Sequence, residues 1–75
     1  MKPYELKMLE IEKRFYKSQA GKEVDIALEL MISPVRYYQL LNELLDNPEA
    51  LAAEPVLVNR LRRIRDSKAK VRRAS

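Results

Sequence analysis

LMISPVRYYQLLNELL, residues 30–45, sets a break, a proline and two adjacent tyrosines in front of a leucine-rich run. Ser33-Pro34 is a strong helix start: the serine hydroxyl can accept a hydrogen bond from an orphan amide, and proline at the first helical position gives up no needed donor. A helix is predicted from there to about Asp46. On a helical wheel Tyr37, Leu40, Leu41 and Leu44 cluster on one side, while Val35, Gln39 and Asn42 lie opposite, flanked by Tyr38 on one edge and by Arg36 and Glu43 on the other. Tyr37 is therefore expected in the core, and Tyr38 exposed or half-exposed.

The residues before the break fit a helix-turn-helix spanning about 22–46. A short helix over residues 22–30 has an exposed edge of Lys22, Asp25 and Glu29, with Val24, Ile26, Ala27, Leu28 and Leu30 around the rest. So wide an apolar arc implies burial against two neighbours. Met31-Ile32 is the turn. The pattern wants a small residue in mid-helix so that the second helix can cross closely, which is Ala27, and apolar residues that lock the pair, which are Ile26, Leu30, Ile32, Tyr37 and Leu40. The fit departs at Met31, where glycine is common because the turn often needs a positive φ. Methionine there means a different turn geometry or backbone strain.

Working outward, a first helix is predicted from Pro3 to about Lys17, with Tyr4, Met8, Ile11 and Phe15 on one core-facing line flanked by Leu9 and Tyr16. Ser18-Gln19-Ala20-Gly21 should be a loop in which the chain's only glycine is able to take a positive φ. On the far side of the opening stretch, Asn47-Pro48 repeats the cap-and-proline start for a helix to about Ala53, and Glu54-Pro55 starts a last one. There Leu57, Leu61 and Ile64 keep helical spacing and the apolar stripe then fades. The fold class is all-α, a small helix-turn-helix domain of four to five helices with a basic C-terminal helix. Residues 1–65 form the domain, and 66–75 a frayed or disordered basic tail.

Seventy-five residues allow one domain, which buries only about 60% of the surface that its unfolded chain exposes. With no cysteine and no histidine, disulfides, thiolate metal sites and the commonest general base are missing. No glycine-rich phosphate loop is present, so no enzymatic role, metal or cofactor is expected. No apolar run approaches the length of a membrane span, and no signal core opens the chain, which suggests a cytoplasmic protein, in a host cell's cytoplasm if phage-encoded. Charge is divided by position: up to Asn59 there are 7 Lys+Arg against 10 Asp+Glu, and from residue 60 on there are 8 against 1. A basic block of this kind usually meets nucleic acid or an anionic surface, and the alternative is a solvated end without a partner. A membrane surface fits poorly because the block lacks a leucine and aromatic face.

The outward face of the third helix has the chemistry of base reading. Gln39 and Asn42 could each make paired contacts with adenine, Arg36 with guanine, and Val35 with a thymine methyl. Ser33 and Tyr38 complete the set, the latter through its hydroxyl. The same face is also what a solvated helix looks like. Phosphate contacts fall to Lys22 at the start of the second helix, to Lys17, with Lys13 and Arg14 adjoining, and above all to Arg60, Arg62, Arg63, Arg65, Lys68, Lys70, Arg72 and Arg73.

LEIEKRFYK near the start, the AGKE loop, and RYYQLLNELLDNPEALAAEPVLVNRLRRIR from Arg36 to Arg65 together resemble a family of short proteins from actinobacteria and their phages, catalogued as a domain of unknown function. The resemblance covers nearly the whole chain and is almost continuous over residues 36–65. It implies a helical fold and helix-turn-helix-like DNA binding, with glycine in family members where Met31 stands here.

Two expectations follow. In the first, the protein is a small phage or actinobacterial transcriptional regulator, reading double-stranded DNA with helix 34–46 and clamping phosphates with the basic C-terminal helix, with a homodimer built through the last helix as one form. In the second, an acidic helical body docks on a host protein through Tyr38, Val35 and Gln39.

Overall fold

The computed structural model describes residues 1–74, with side chains described as far as Ser67. Among the described residues five helices follow one another: α1 Pro3–Lys13, α2 Gln19–Leu30, α3 Pro34–Leu45, α4 Pro48–Ala53 and α5 Pro55–Ala74. No strand occurs among the described residues. Four of the five start on the dictates of proline. Pro3, Pro34, Pro48 and Pro55 each occupy a first helical position, where the missing N–H is not needed. Ser33 Oγ accepts from Arg36 N at 3.2 Å, and Asn47 Oδ1 accepts from Glu49 N at 2.9 Å, so two of these starts carry the side-chain cap as well. At α1 the Glu5 carboxylate accepts from Lys2 N at 2.8 Å, and the terminal amine of Met1 reaches Glu49 on α4 at 2.9 Å.

One core holds the five together. Met8, Leu9 and Ile11 of α1, Ile26 of α2, Tyr37, Leu41, Leu44 and Leu45 of α3, Ala50 of α4, and Leu57 and Val58 of α5 are buried in a single cluster. Leu30, Ile32, Leu40 and Leu61 pack against it partly buried. α3 is the central element, and its buried side is the one the helical wheel selects.

The first two helices depart from expectation. α1 stops at Lys13 rather than near Lys17, with Arg14 in extended backbone at φ −75°, ψ 147°. Leaving the helix lets Arg14 and Tyr16 turn onto α2, where they find Asp25 and Glu29. Phe15, cut off from the helical line of Met8 and Ile11, is 89% exposed, and Tyr4 at the other end of that line also lies largely outside the core. α2 begins at Gln19 instead of Lys22, because Ser18 caps it: Ser18 Oγ accepts from Gly21 N at 3.3 Å. Gly21 is thus helical, and no glycine has a positive φ. That conformation falls to Met31, at φ 57°, ψ 38°, whose N–H bonds Ala27 O at 3.0 Å to close α2.

α2 is also rotated from its expected orientation. The edge of Lys22, Asp25 and Glu29 turns toward α1, where basic and acidic partners wait, and the apolar arc is left outside. Of it only Ile26 is buried and Leu30 half-buried, while Val24 is 55% and Leu28 73% exposed. Ala27 is exposed too, so the close crossing expected there does not occur. The apolar residues expected to lock α2 to α3 do enter the core: Ile26 and Tyr37 are buried, and Leu30, Ile32 and Leu40 pack against it.

Candidate nucleic-acid interface

A three-residue link, Met31-Ile32-Ser33, joins α2 to α3. The left-handed Met31 reverses the chain, Ile32 anchors the link against the core, and Ser33 caps the next helix. The outward half of α3 then presents Val35, 70% exposed, with Arg36, Gln39, Asn42 and Glu43, all exposed. Tyr37 is buried and Tyr38, at 38%, stands at the boundary, with the two rings 5.1 Å apart and edge-to-face at 84°.

Beneath Tyr38 lies a polar junction of α1, α2 and α3. The Tyr37 hydroxyl donates to the Glu12 carboxylate, and Lys22 Nζ lies 2.8 Å from the same carboxylate. Lys22 also sits 5.5 Å from the centre of the Tyr38 ring and 5.9 Å from that of Tyr37, within cation–π range. The Glu12 side chain retains 5% exposure and Lys22 17%, so this pair is screened from water and satisfied by its own members. Burial, followed by the bond to Glu12, holds the Tyr37 phenol well above its ordinary range. Lys22, expected as a phosphate contact at the start of α2, thus lies one turn inside that helix and is held by Glu12 and the two tyrosine rings.

Other candidates are similarly engaged. Ser33 Oγ is occupied as a cap. The Tyr38 hydroxyl accepts from Gln19 Nε2 at 2.6 Å. Asn42 Oδ1 accepts from Arg65 Nη1 at 3.0 Å, and Arg65 also contacts the Asp46 carboxylate at 3.3 Å, with Arg62 at 3.7 Å from the same group. Arg14 is bound by Glu29, Asp25 and Glu10, and Lys13 by Glu54, so both cations are already paired. The bond with Glu29 raises the Arg14 guanidinium further above its ordinary value, and the same bond holds the Glu29 carboxyl below the usual carboxylate range. Among the described side chains, Val35, Arg36 and Gln39 of the base-reading set and Lys17, Arg60 and Arg63 of the phosphate set are exposed, with no hydrogen bond or ion pair from their side chains. Lys68, Lys70, Arg72 and Arg73 lie outside the described side chains.

The outward face of α3 is one wall of an open groove of about 980 Å³. Val35, Tyr38, Gln39 and Asn42 line it from α3, Gln19 and Lys22 from α2, and Leu61, Ile64 and Arg65 from α5, over a floor of Leu41 and Leu45. Sequence reasoning missed α5 as the opposing wall. The available signal was Ile64, one step beyond the last half-buried residue of the α5 stripe, Leu61.

A family model covers residues 1–73. The chain belongs to the family described as protein of unknown function (DUF3263). Membership of DUF3263 thus spans all five helices, and the groove lies within the matched span. No curated protein and no solved structure matches the chain. Among the described residues no group of acidic, histidine or cysteine side chains could hold a metal ion, and no helix is long and apolar enough to cross a membrane.

Proposed function

We propose that this DUF3263 chain binds duplex DNA through the N-terminal half of α3 and acts as a small transcriptional regulator in the cytoplasm of an actinobacterium or of a phage's host, without catalytic activity. The observation that carries the proposal is the link at Met31-Ile32-Ser33. A left-handed residue stands where helix-turn-helix units commonly use glycine, and the helix that follows turns Val35, Arg36 and Gln39 outward unencumbered. Those three residue types match a thymine methyl, a guanine edge and an adenine edge. Asn42 is a secondary reader, since it must first leave Arg65. Lys17, Arg60 and Arg63 supply exposed cations for phosphates, and the basic end of α5 adds to them.

A salt titration of binding to mixed-sequence duplex DNA tests the proposal. Affinity should fall steeply with salt, the logarithmic slope steepening by about 0.9 for each phosphate neutralised. Arg63→Ala should weaken binding to all sequences alike, whereas Gln39→Ala should blunt discrimination at a selected site by ~1–3 kcal/mol. Absence of any shift at about 50 mM salt, where cationic contacts are strongest, rejects the proposal.

The groove favours one second reading, a host-protein helix laid between α3 and α5. Its apolar floor of Leu41 and Leu45, with Leu61 and the half-open Ile64 on the α5 wall beside them, suits an amphipathic helix better than a phosphate backbone. In that case Ile64→Lys should abolish capture of the partner while leaving DNA affinity equal or higher.

A further inference from the structure

The unexpected surface of this molecule is the outer face of α2. Ala20, Val24, Ala27 and Leu28 fall within about 100° of the helical wheel, and Met31 closes the stripe at its C-terminal end. All five are exposed, Met31 at 88%. No charged residue interrupts the stripe, and Ile26, the buried residue of α2, lies on the opposite side of the helix. Steps of four and three residues between Ala20, Val24 and Ala27 follow the seven-residue repeat by which helices pack side by side, and Met31, the left-handed cap, stands at the end of α2 one turn beyond Ala27.

We infer that this face is a homodimer interface, in which α2 of one protomer packs antiparallel on α2 of a second copy about a two-fold axis near residues 25–26. Two arguments select that occupant. The first is size matching. An antiparallel two-fold sets Ala20 opposite the partner's Met31 and Val24 opposite the partner's Ala27, so each layer joins a small side chain to a large one, and the contact is self-complementary as a two-fold requires. A parallel pair would stack alanine on alanine and methionine on methionine, leaving a void in one layer and a collision in another.

The second argument is area. Full burial of a side chain such as Leu or Met removes on the order of 100 Å² of apolar surface. Val24, Leu28 and Met31 from both copies, together with four alanines and the helix edges around them, bring the total to on the order of 1,000 Å², the lower end of specific interfaces. Such an interface holds a reversible dimer. It differs from pairing through α5 and does not depend on DNA binding, since the contact uses no residue of α3.

Equilibrium sedimentation of the full chain from about 10 µM to about 1 mM covers the range in which such a contact assembles. The weight-average mass should rise from the monomer's 8.8 kDa toward twice that value. Leu28→Lys should stay monomeric throughout with an unchanged helical circular dichroism spectrum, because Leu28 makes no core contact. Orientation is read separately by oxidising an equimolar mixture of Val24→Cys and Ala27→Cys chains, with no native cysteine to interfere. The mixed disulfide should exceed either homodisulfide. A monomeric mass at every concentration, a Leu28→Lys chain that dimerises as well as the native one, or a predominance of homodisulfides would each overturn the inference.

Discussion

Met31→Gly should stabilise the protein, and the size of the gain follows from the turn. Among the described residues Met31 is the one non-glycine residue with a positive φ, at 57°, a conformation that costs an L-residue roughly 1–2 kcal/mol because Cβ crowds the following carbonyl. Glycine removes that cost but gives up more freedom on folding, which takes back about 0.5–1 kcal/mol. The methionine side chain is 88% exposed in the monomer, so its deletion forfeits almost no burial there. The net is a gain of about 0.5–1 kcal/mol, which for a chain of this length raises Tm by about 2–8 °C. Met31→Ala is the matched control. It removes the same contacts but keeps Cβ, and should leave stability within about 0.5 kcal/mol of the native chain. Urea denaturation at about 5 µM, below the range where α2 pairing contributes, measures both. If Met31→Gly is less stable than the native chain, or if Met31→Ala gains as much, the strain does not reside in the backbone at this turn and the account of the α2–α3 link fails.

Two further outcomes test the packing. Gly21→Ala should add up to about 1 kcal/mol. Gly21 is helical, and a methyl there meets only Ser18 Oγ at 3.7 Å and Tyr16 Cδ1 at 3.8 Å, ordinary contacts; a loss of stability in urea would show that the helix start at Gln19 is misplaced. Tyr37→Phe leaves Glu12 with only Lys22 and should cost ~1–3 kcal/mol. Because the folded phenol is raised above its ordinary value of about 10, above that pH the unfolded chain releases a proton that the folded chain keeps, so native stability falls as pH rises. Tyr37→Phe should flatten that fall, with Tyr16, raised chiefly by burial, keeping a remainder; an equally steep loss in the variant above pH 10 would refute the assignment.

The legible parts of this fold are those that local chemistry decides. Ser33-Pro34, Asn47-Pro48 and Pro55 start helices wherever the chain then goes, and the apolar side of α3 needs no knowledge of its neighbours because α3 is the element the others surround. α2 failed for the opposite reason. A wheel ranks Lys22, Asp25 and Glu29 as the solvent edge, but Lys7 and Arg14 on or beside α1 complement Asp25 and Glu29, and Glu12 complements Lys22. Those pairs turn the charged edge inward and leave Val24 and Leu28 outside. The charge complementarity between the two segments was visible in the sequence, but no periodicity rule weighs it. Phe15 was misplaced by a single event, the departure of Arg14 from helical backbone. In the candidate site, residue type foretold exposure well, whereas the engagement of Ser33, Asn42, Lys22 and Arg65 depends on contacts between distant segments.

The contacts of Asp46 bear directly on the proposed DNA affinity. Asp46 holds two arginines of α5, Arg62 and Arg65, and Arg65 in turn holds Asn42. A phosphate that recruits Arg65 must displace a carboxylate already in place, so the gain from contact is offset by the pair that is lost, and Asn42 is withheld until the exchange occurs. Asp46→Asn should therefore raise affinity for duplex DNA by more than the removal of one negative charge explains. Glu43→Gln supplies the comparison, an exposed acid in the last turn of α3, just before the Asp46 cap, with no ion pair from its side chain. If Arg62 and Arg65 are released to phosphates, Asp46→Asn should also steepen the logarithmic salt slope by about 0.9 for each arginine freed, whereas Glu43→Gln should leave the number of contacts, and hence the slope, nearly unchanged. Equal effects from the two variants would mean that Asp46 acts only through its charge. A steeper slope confined to Asp46→Asn would mean that α5 carries phosphate contacts held in reserve by α3.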